Sequence, residues 1–144
     1  MRWLYDCLDM ELTKFDKSSV RKGTPMTQWL VNVNLKSGGF YLNDLVRLEL
    51  DLKNGQEVLV AKDEKSNKWY ITFDSGLQGF RLHKLSNQGG HQDRLCFISR
   101  RPAHLLLNEV RATRAATFML AKNPTTIDGH KWYRIITTDP VRVS

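Results

Sequence analysis

The chain lacks most of the features by which secreted, membrane and metal-binding proteins are recognised. Its 144 residues include only two cysteines, Cys7 and Cys96, which form neither a disulfide framework nor a metal-binding spacing. We expect both to be small buried residues in a reducing compartment. No apolar run approaches the roughly 18 residues of a membrane span, and acidic residues follow Met1 too soon for a secretory signal. These absences predict a soluble, cytoplasmic protein that does not enter a membrane.

Residues that could carry out catalysis or hold a cofactor form no recognisable pattern. The four histidines have no metal-ligand spacing. Cys96 and His104 could act as nucleophile and base, but no third group orients the histidine and no oxyanion loop is visible. The pairs Gly38-Gly39 and Gly89-Gly90 lack the following Lys and Ser or Thr of a phosphate loop. We therefore predict a protein that is not an enzyme and that binds neither a metal nor a cofactor.

Positive charge is abundant, and it is concentrated toward the end of the sequence. The net charge is +7, of which residues 86–144 contribute +5 and residues 1–24 and 25–85 contribute +1 each. Most cations of that last segment are arginines, whose planar guanidinium groups suit bidentate contact with phosphate or guanine. Apolar content of 41% and charged content of 26% are ordinary for a globular domain. The excess charge therefore points to a partner rather than to disorder.

A longer pattern occurs twice along the chain. Its first occurrence consists of Asn43-Asp44-Leu45-Val46-Arg47, Val60-Ala61-Lys62 and Lys68-Trp69-Tyr70. Its second consists of Asn108-Glu109-Val110-Arg111, Leu120-Ala121-Lys122 and Lys131-Trp132-Tyr133, at spacings of 65, 60 and 63 residues. Residues 98–108 also match residues 33–43 without a gap. We interpret the chain as a diverged internal duplication. A half of about 70 residues buries little apolar surface alone, so we expect the halves to be obligate partners.

The apolar spacing within each half predicts the same series of elements. Alternation between residues 28 and 35 indicates a strand, and a Gly turn leads to a second strand at residues 40–42. Asn43 suits the N-cap of a short helix, and residues 57–62 and 68–73 indicate a hairpin. Each half is therefore strand, turn, strand, short helix and hairpin. The predicted fold is mainly β with short helices (α+β), and its two units form a pseudo-two-fold barrel.

The predicted boundaries follow from changes in composition. Residues 1–24 form an N-terminal extension, 25–86 the first repeat, 87–93 a polar, Gly-containing linker and 94–144 a second, shortened repeat. In the second repeat, Arg100-Arg101-Pro102 stands where the first repeat makes its turn, and residues 118–122 and 131–137 indicate the hairpin. Residues 80–85 alternate and predict an added edge strand.

The first half resembles the AbrB/SpoVT swapped-hairpin domain. The resemblance rests on the Gly turn at residues 37–39, which runs into a short strand and helix, and on Leu52-Lys53-Asn54-Gly55-Gln56-Glu57 before the hairpin. It covers about 45 residues of the first half and about 40 of the second. Asn43 and Asn108 replace the family's Pro at the start of the helix. The resemblance implies interleaved hairpins that bind DNA, in two tandem copies as in MraZ-like proteins.

The same resemblance places the DNA contacts at basic residues around the first turn and the short helix. These positions hold Lys36, Arg47, Arg100, Arg101, Arg111 and Arg114. Arg111 and Arg114 lie three residues apart, which would place them on one face of a helix. Folding the turn back beside that helix would form a single basic patch. The alternative is a solvated cationic face balanced by Glu109 and Asp93.

We expect a non-catalytic protein that binds duplex DNA as a transcription regulator, alone or as a homodimer. Two alternatives stay open. The Trp-Tyr pairs could stack the bases of single-stranded nucleic acid, although Trp69 and Trp132 suit the core better because aromatic side chains bury a large area. A protein-interaction or structural module without nucleic-acid binding is the other alternative.

Overall fold

A computed structural model describes residues 27–74, 76–85 and 94–144. The predicted extension at residues 1–24 and the linker at 87–93 lie outside the described residues. The described part of the protein is mainly β, with about 44% of the described residues in strands and few short helices. In chain order the described elements are β1 (Leu30–Asn34), β2 (Gly39–Leu42), α1 (Asp44–Glu49), β3 (Glu57–Asp63), β4 (Lys68–Thr72), β5 (Phe80–Arg81), β6 (His83–Leu85), β7 (Arg94–Ile98), α2 (Arg100–Glu109), β8 (Ala115–Leu120), β9 (Thr125–Ile127), β10 (His130–Ile136) and β11 (Arg142–Val143).

The strands form one antiparallel sheet that closes almost into a barrel. Its order is β5, β3, β4, β10, β8, β1, β2, β7 and β6, while β9 pairs with β10 and β11 pairs with β8. Only Leu82 separates β5, at one end of this order, from β6, at the other end. The chain therefore joins the two ends of the sheet, and few strand edges stay open.

The core lies inside this barrel, where alternate side chains of each strand meet. Val31 and Val33 of β1 are fully buried, as the period of two predicts. Phe40 of β2 lies directly opposite Phe97 of β7, and their rings stack with centroids 4.8 Å apart. Stacking of two buried aromatic rings adds to the free energy gained by burying their area. This pair therefore stabilises the packing of β2 against β7.

Several elements of the first half are where the sequence predicted them. The β3–β4 hairpin forms, and the alternating segment at residues 80–85 supplies β5 and β6. Asn43 caps α1, because its side-chain oxygen accepts a hydrogen bond from the backbone N–H of Val46 at 3.3 Å. In the second half β8 and β10 occupy the predicted hairpin positions, with β9 as an addition that the pattern did not indicate.

The predicted turn at Arg100-Arg101-Pro102 is wrong, and so is the strand that was expected between this turn and Asn108. Residues 33–43 end β1, turn and form β2, whereas the matching residues 98–108 end β7 and form α2. Ala103, Leu106 and Leu107 are fully buried and have helical spacing. Pro102 is compatible with this helix because the N–H groups of a first turn have no intrahelical partner. The second half also lacks the glycine that gives the first turn its left-handed residue.

The two helices end in the same way, and the matching positions are 60 residues apart. Three successive N–H groups after each helix donate back to helix carbonyls, and the second of these residues has a positive φ, +52° at Asp51 and +60° at Arg111. The bonds run from Leu50 to Val46, Asp51 to Leu48 and Leu52 to Arg47, and from Val110 to Leu106, Arg111 to Asn108 and Ala112 to Leu107. Asn108 thus lies in the last turn of α2 and is not the predicted N-cap.

Candidate nucleic-acid interface

The turn between β1 and β2 lies directly against the beginning of α2. Gly38 has φ of +70°, and a Cβ atom placed there would lie 2.6 Å from Cγ of Arg100. The backbone N–H of Ser99 donates to the carbonyl of Gly38 at 2.9 Å. Because Gly38 has no side chain, the two backbones can approach each other closely. This contact holds Lys36, two residues before Gly38, on the same edge of the barrel as Arg100.

A second backbone contact brings Arg114 to this edge. The N–H of Leu35 donates to the carbonyl of Arg114 at 2.8 Å, immediately before β8 pairs with β1. Lys36, Arg100, Arg101 and Arg114 are all exposed, and we refer to these four residues as the turn cluster. No ion pair among the described residues includes any of them. The cluster is a group of cations that local carboxylates of the described chain do not neutralise.

The carboxylates that the sequence suggested as balancing charges do not serve that role in the described residues. Glu109 accepts hydrogen bonds from the indole N–H of Trp69 and lies 3.4 Å from the amino group of Lys62. Asp93 lies outside the described residues. Glu109 therefore does not neutralise the arginines, as the alternative of a balanced cationic face requires.

Arg111 does not share a helical face with Arg114, so this prediction is wrong. Helix α2 ends at Glu109, and residues 111–114 form a turn and a bend. A helix of this length spans about 15 Å, which separates the end near Arg111 from the end near Arg100. A cation beside a helix C-terminus interacts favourably with the helix dipole. Arg111, two residues beyond the end of α2, is close enough to that end for such an interaction.

Arg47 lies apart from the turn cluster, because β2 leads away from the turn to α1. Its guanidinium Nη2 lies 3.6 Å from Asp44, and its side chain is about 31% exposed. Its Nε is buried and has no hydrogen-bond partner among the described residues. Arg47 lines an open cleft together with Asp51, Leu52, Lys53, Asn54, Lys84 and Leu95. We refer to this as the α1 cleft.

Two clusters of tryptophan, glutamate and lysine were not predicted. In one, Glu109 accepts the hydrogen bonds from Trp69 and pairs with Lys62. The amino group of Lys62 also lies 5.6 Å from the centre of the Trp69 ring. In the other, the indole N–H of Trp29 donates to Glu49 at 2.6 Å, and Lys122 lies 3.5 Å from Glu49 and 5.8 Å from the Trp29 ring. Both glutamates end a helix, and both lysines follow the alanine of the repeated Ala-Lys motif. The repeated Ala-Lys motif was therefore the feature of the sequence from which the two clusters could have been predicted.

The aromatic residues considered as stacking platforms are largely occupied by the core. Trp69 is 2% exposed and Tyr133 is 7% exposed. Trp132 and Tyr70 are half-buried. The expectation that Trp69 suits the core is confirmed, but the same expectation for Trp132 is wrong, because Tyr133 is the member of that pair that enters the core. Neither buried ring offers a face to a base.

The cysteine of the described chain is not activated. Cys96 is buried, and its Sγ lies 3.3 Å from Nε2 of His83 on the neighbouring strand β6, not beside His104. Burial raises the pKa of the Cys96 thiol, which favours the protonated form, whereas a nucleophile requires the thiolate. Within the described ranges, no group of three or more His, Cys, Asp or Glu side chains could hold a metal ion. No described helix is long and apolar enough to cross a membrane.

The arrangement of the turn cluster suits binding of a polyanion. Its cations are exposed, they come from three segments that are distant in sequence, and backbone hydrogen bonds fix those segments together. No protein-family model, curated protein or solved structure matches this chain.

Proposed function

We propose that this protein binds duplex DNA, without catalysis, through the turn cluster, and that it acts as a transcription regulator. The observation that carries the proposal is the convergence of Lys36, Arg100, Arg101 and Arg114 on one edge of the barrel, with no described carboxylate paired to them. A cation that contacts a DNA phosphate releases condensed counterions, which makes such an edge a source of affinity. Guanidinium groups also match the geometry of phosphate oxygens.

We further infer that the chain consists of two diverged halves related by a pseudo-two-fold axis. Strand β1 pairs with β2 of its own half and with β8 of the other, while β6 pairs with β7 and β5 pairs with β3. The matching helix ends support the same relation, as do the two clusters of tryptophan, glutamate and lysine. In this arrangement β5 and β6 begin the second half, so its boundary moves from residue 94 to the start of β5.

The exchange of strands between halves is also what the AbrB/SpoVT resemblance implies. In a swapped hairpin, the apolar faces of two similar units cover each other. A two-fold protein is suited to a duplex, because the two strands of DNA are themselves related by two-fold axes. The proposed regulator would therefore present similar elements to both strands.

The experiment is a fluorescence-anisotropy titration of duplex DNA at several salt concentrations. The parent protein is compared with Arg100→Ala/Arg101→Ala and with Lys36→Ala/Arg114→Ala. The control is Lys65→Ala/Lys68→Ala, which removes two exposed lysines next to the β3–β4 turn. Each phosphate contact that is lost should lower the slope of log affinity against log salt by about one unit. Thermal melts check that each variant is folded.

The outcome separates the candidate functions. Weaker binding and a lower slope for both cluster variants, with the control unchanged, support the proposal. A parent protein that does not bind duplex DNA even at low salt contradicts it and favours the protein-interaction module. Preferential binding of a single strand of the same sequence would favour the base-stacking alternative.

A further inference from the structure

The first turn of α2 leaves two hydrogen-bond donors without acceptors. The first four N–H groups of a helix have no partner inside the helix. At α2 the N–H of Ser99 donates to the carbonyl of Gly38, and Pro102 has no N–H. The other two belong to Arg100 and Arg101, and no acceptor in the described part of the chain receives them. Both residues are exposed, so a ligand in solution can approach the start of the helix.

Ser99, the N-cap residue of α2, has a hydroxyl that does not cap the helix. A serine in this place usually accepts a hydrogen bond from the N–H of the second or third helical residue. The third residue here is Pro102, which has no N–H, and the hydroxyl makes no bond to Arg101. Ser99 is 3% exposed, and its hydroxyl has no partner among the described residues. A buried polar group normally has one, so the start of α2 lacks a partner at a side chain as well as at the backbone.

The charged side chains in the first turn of α2 are all cations. Asp or Glu is stabilising there because the N-terminus is the positive end of the helix dipole, but α2 has no acidic residue in that turn. Arg100 and Arg101 add two positive charges instead, and the turn that packs on Arg100 through Gly38 brings Lys36. None of these three cations belongs to an ion pair of the described chain. The start of α2 therefore lacks an anion that the chain itself does not supply.

We propose that the N-terminus of α2 is a phosphate-binding subsite within the turn cluster. One phosphate of the DNA backbone accepts hydrogen bonds from the N–H groups of Arg100 and Arg101 and from the hydroxyl of Ser99, while the guanidinium groups neutralise its charge. A helix N-terminus offers an anion both oriented N–H groups and the positive end of the dipole. The inference rests on the proposed function, which supplies the duplex as the ligand.

The subsite also defines what α2 does in the complex. Its end faces the sugar-phosphate backbone, so the helix does not lie along a groove as a recognition helix does. Contacts to phosphate fix the position of a protein on the duplex and carry no information about the bases. The affinity that the subsite contributes is therefore independent of sequence.

The main test separates the backbone N–H of Arg100 from its guanidinium group. Arg100→Ala and Arg100→Pro both remove the cation, but only proline also removes the N–H. Proline suits the first position of a helix because its φ is already helical. We expect Arg100→Pro to bind duplex DNA about tenfold more weakly than Arg100→Ala, which is the effect of one hydrogen bond to a charged group. The slope of log affinity against log salt should be the same for both variants, because the N–H group releases no counterion.

A second pair of variants changes only the charge at the N-cap. Asparagine and aspartate cap helices about equally well, so Ser99→Asn and Ser99→Asp should melt at similar temperatures. Only aspartate places a carboxylate beside the phosphate, and we expect it to weaken duplex binding at least about tenfold relative to asparagine. The matched control is Ser66→Asn and Ser66→Asp in the β3–β4 turn, where Ser66 is exposed. These two variants make the same change of charge away from the turn cluster and should bind alike.

The titrations use two duplexes of unrelated sequence, and an equal loss on both is expected. A difference within either folded pair, on both duplexes, supports the subsite. If the turn-cluster variants weaken binding but neither pair shows a difference, the subsite is overturned and the proposed function stands. A loss on one duplex alone would mean that α2 reads bases, which also overturns the subsite. A parent protein that does not bind duplex DNA overturns both proposals. Thermal melts identify a variant that does not fold, and the other pair then decides.

Discussion

Asp51 and Arg111 each occupy a backbone conformation that usually belongs to glycine. Their φ angles of +52° and +60° allow the N–H groups after α1 and α2 to turn back onto the helix carbonyls. For a residue with a Cβ atom this left-handed conformation costs about 1–2 kcal/mol, and somewhat less for aspartate. The same unfavourable conformation occurs at the second residue after both helices. Both positions therefore carry a side chain where the backbone conformation locally favours glycine.

The first prediction measures that cost at Arg111. Arg111→Gly should be more stable to unfolding than Arg111→Ala by about 1 kcal/mol, because both remove the cation and only alanine keeps the strained φ. Arg114, whose φ is not positive, supplies the control. There the order should reverse, since glycine adds freedom to the unfolded chain. Urea denaturation of the four variants gives the comparison, and equal stabilities of the two Arg111 variants would contradict it.

The second prediction concerns the contact that forms the turn cluster. Gly38→Ala combines a left-handed φ with a Cβ atom 2.9 Å from the backbone Cα of Arg100, whereas Gly55→Ala has φ of +88° and meets no atom within 4 Å. Both should lose about 1–2 kcal/mol from the backbone conformation. Gly38→Ala should lose about 1–3 kcal/mol more from overpacking. If both variants melt alike, the turn is not docked tightly on α2.

At the scale of the element, the sequence predicted what depends on local spacing. The β3–β4 hairpin and α1 follow from alternation, turn residues and the Asn43 cap, all of which act over a few residues. Helix α2 also carried its own signal in the spacing of Ala103, Leu106 and Leu107, but the gap-free match to residues 33–43 pointed to a strand. Strand β9 has three exposed residues, and its place is set by its pairing with β10. No local pattern could have indicated it.

The candidate site was predictable in part for the same reason. Lys36 and Arg100 were expected near a turn, and the structure brings their segments together through Gly38, although α2 replaces the second turn. The AbrB/SpoVT resemblance predicts Arg47 and Arg111 as contacts at the short helix, but α1 lies away from the turn cluster and α2 ends before Arg111. The convergence of Arg114 on Leu35 depends on the pairing of β1 with β8, which joins residues about 80 apart. Such pairing is decided by the whole sheet.

The third prediction concerns how each helix end is anchored. Glu109→Ala should lower the free energy of unfolding by about 1–3 kcal/mol, because the buried indole N–H of Trp69 loses its acceptor. Glu109→Gln keeps an acceptor and loses only the partly exposed ion pair with Lys62, so it should cost less than about 1 kcal/mol. Glu49→Ala and Glu49→Gln should repeat this order through Trp29. Chemical denaturation tests all four, and equal costs for Ala and Gln would show that the indole bond contributes little.

At the scale of the whole molecule, four of the eight neighbouring strand pairs along the sheet join the two proposed halves. The pairs β1–β8, β4–β10 and β2–β7 each join one strand from each half, and so do the clusters of Trp69 with Glu109 and of Glu49 with Lys122. Within the first half, only β1–β2 and β3–β4 pair with each other among its own four strands. Neither half has a closed core without the other.

The fourth prediction follows from this division. A fragment of residues 25–79, which ends before β5, should show no cooperative, monomeric unfolding transition when it is expressed alone, because a chain of that length with its sheet edges open buries too little apolar surface. Circular dichroism during thermal melting, with sedimentation to define the mass, gives the measurement. A stable monomer would show that the halves are independent domains. A stable dimer would mean that a second copy of the fragment replaces the missing half, as a swapped hairpin requires.

The pairing of β1 with β8 also decides when the protein can be completed during its synthesis. The ribosome makes β1 about 80 residues before its partner β8. Until then the nascent chain carries strands whose outer edges have no neighbour, and such edges attract other chains. Sheets whose paired strands are distant in sequence also fold slowly, because the chain loses the entropy of closing long loops before the new contacts lower its free energy. The barrel therefore acquires its shape only as its last third emerges, and the open strand edges of the first half persist until then.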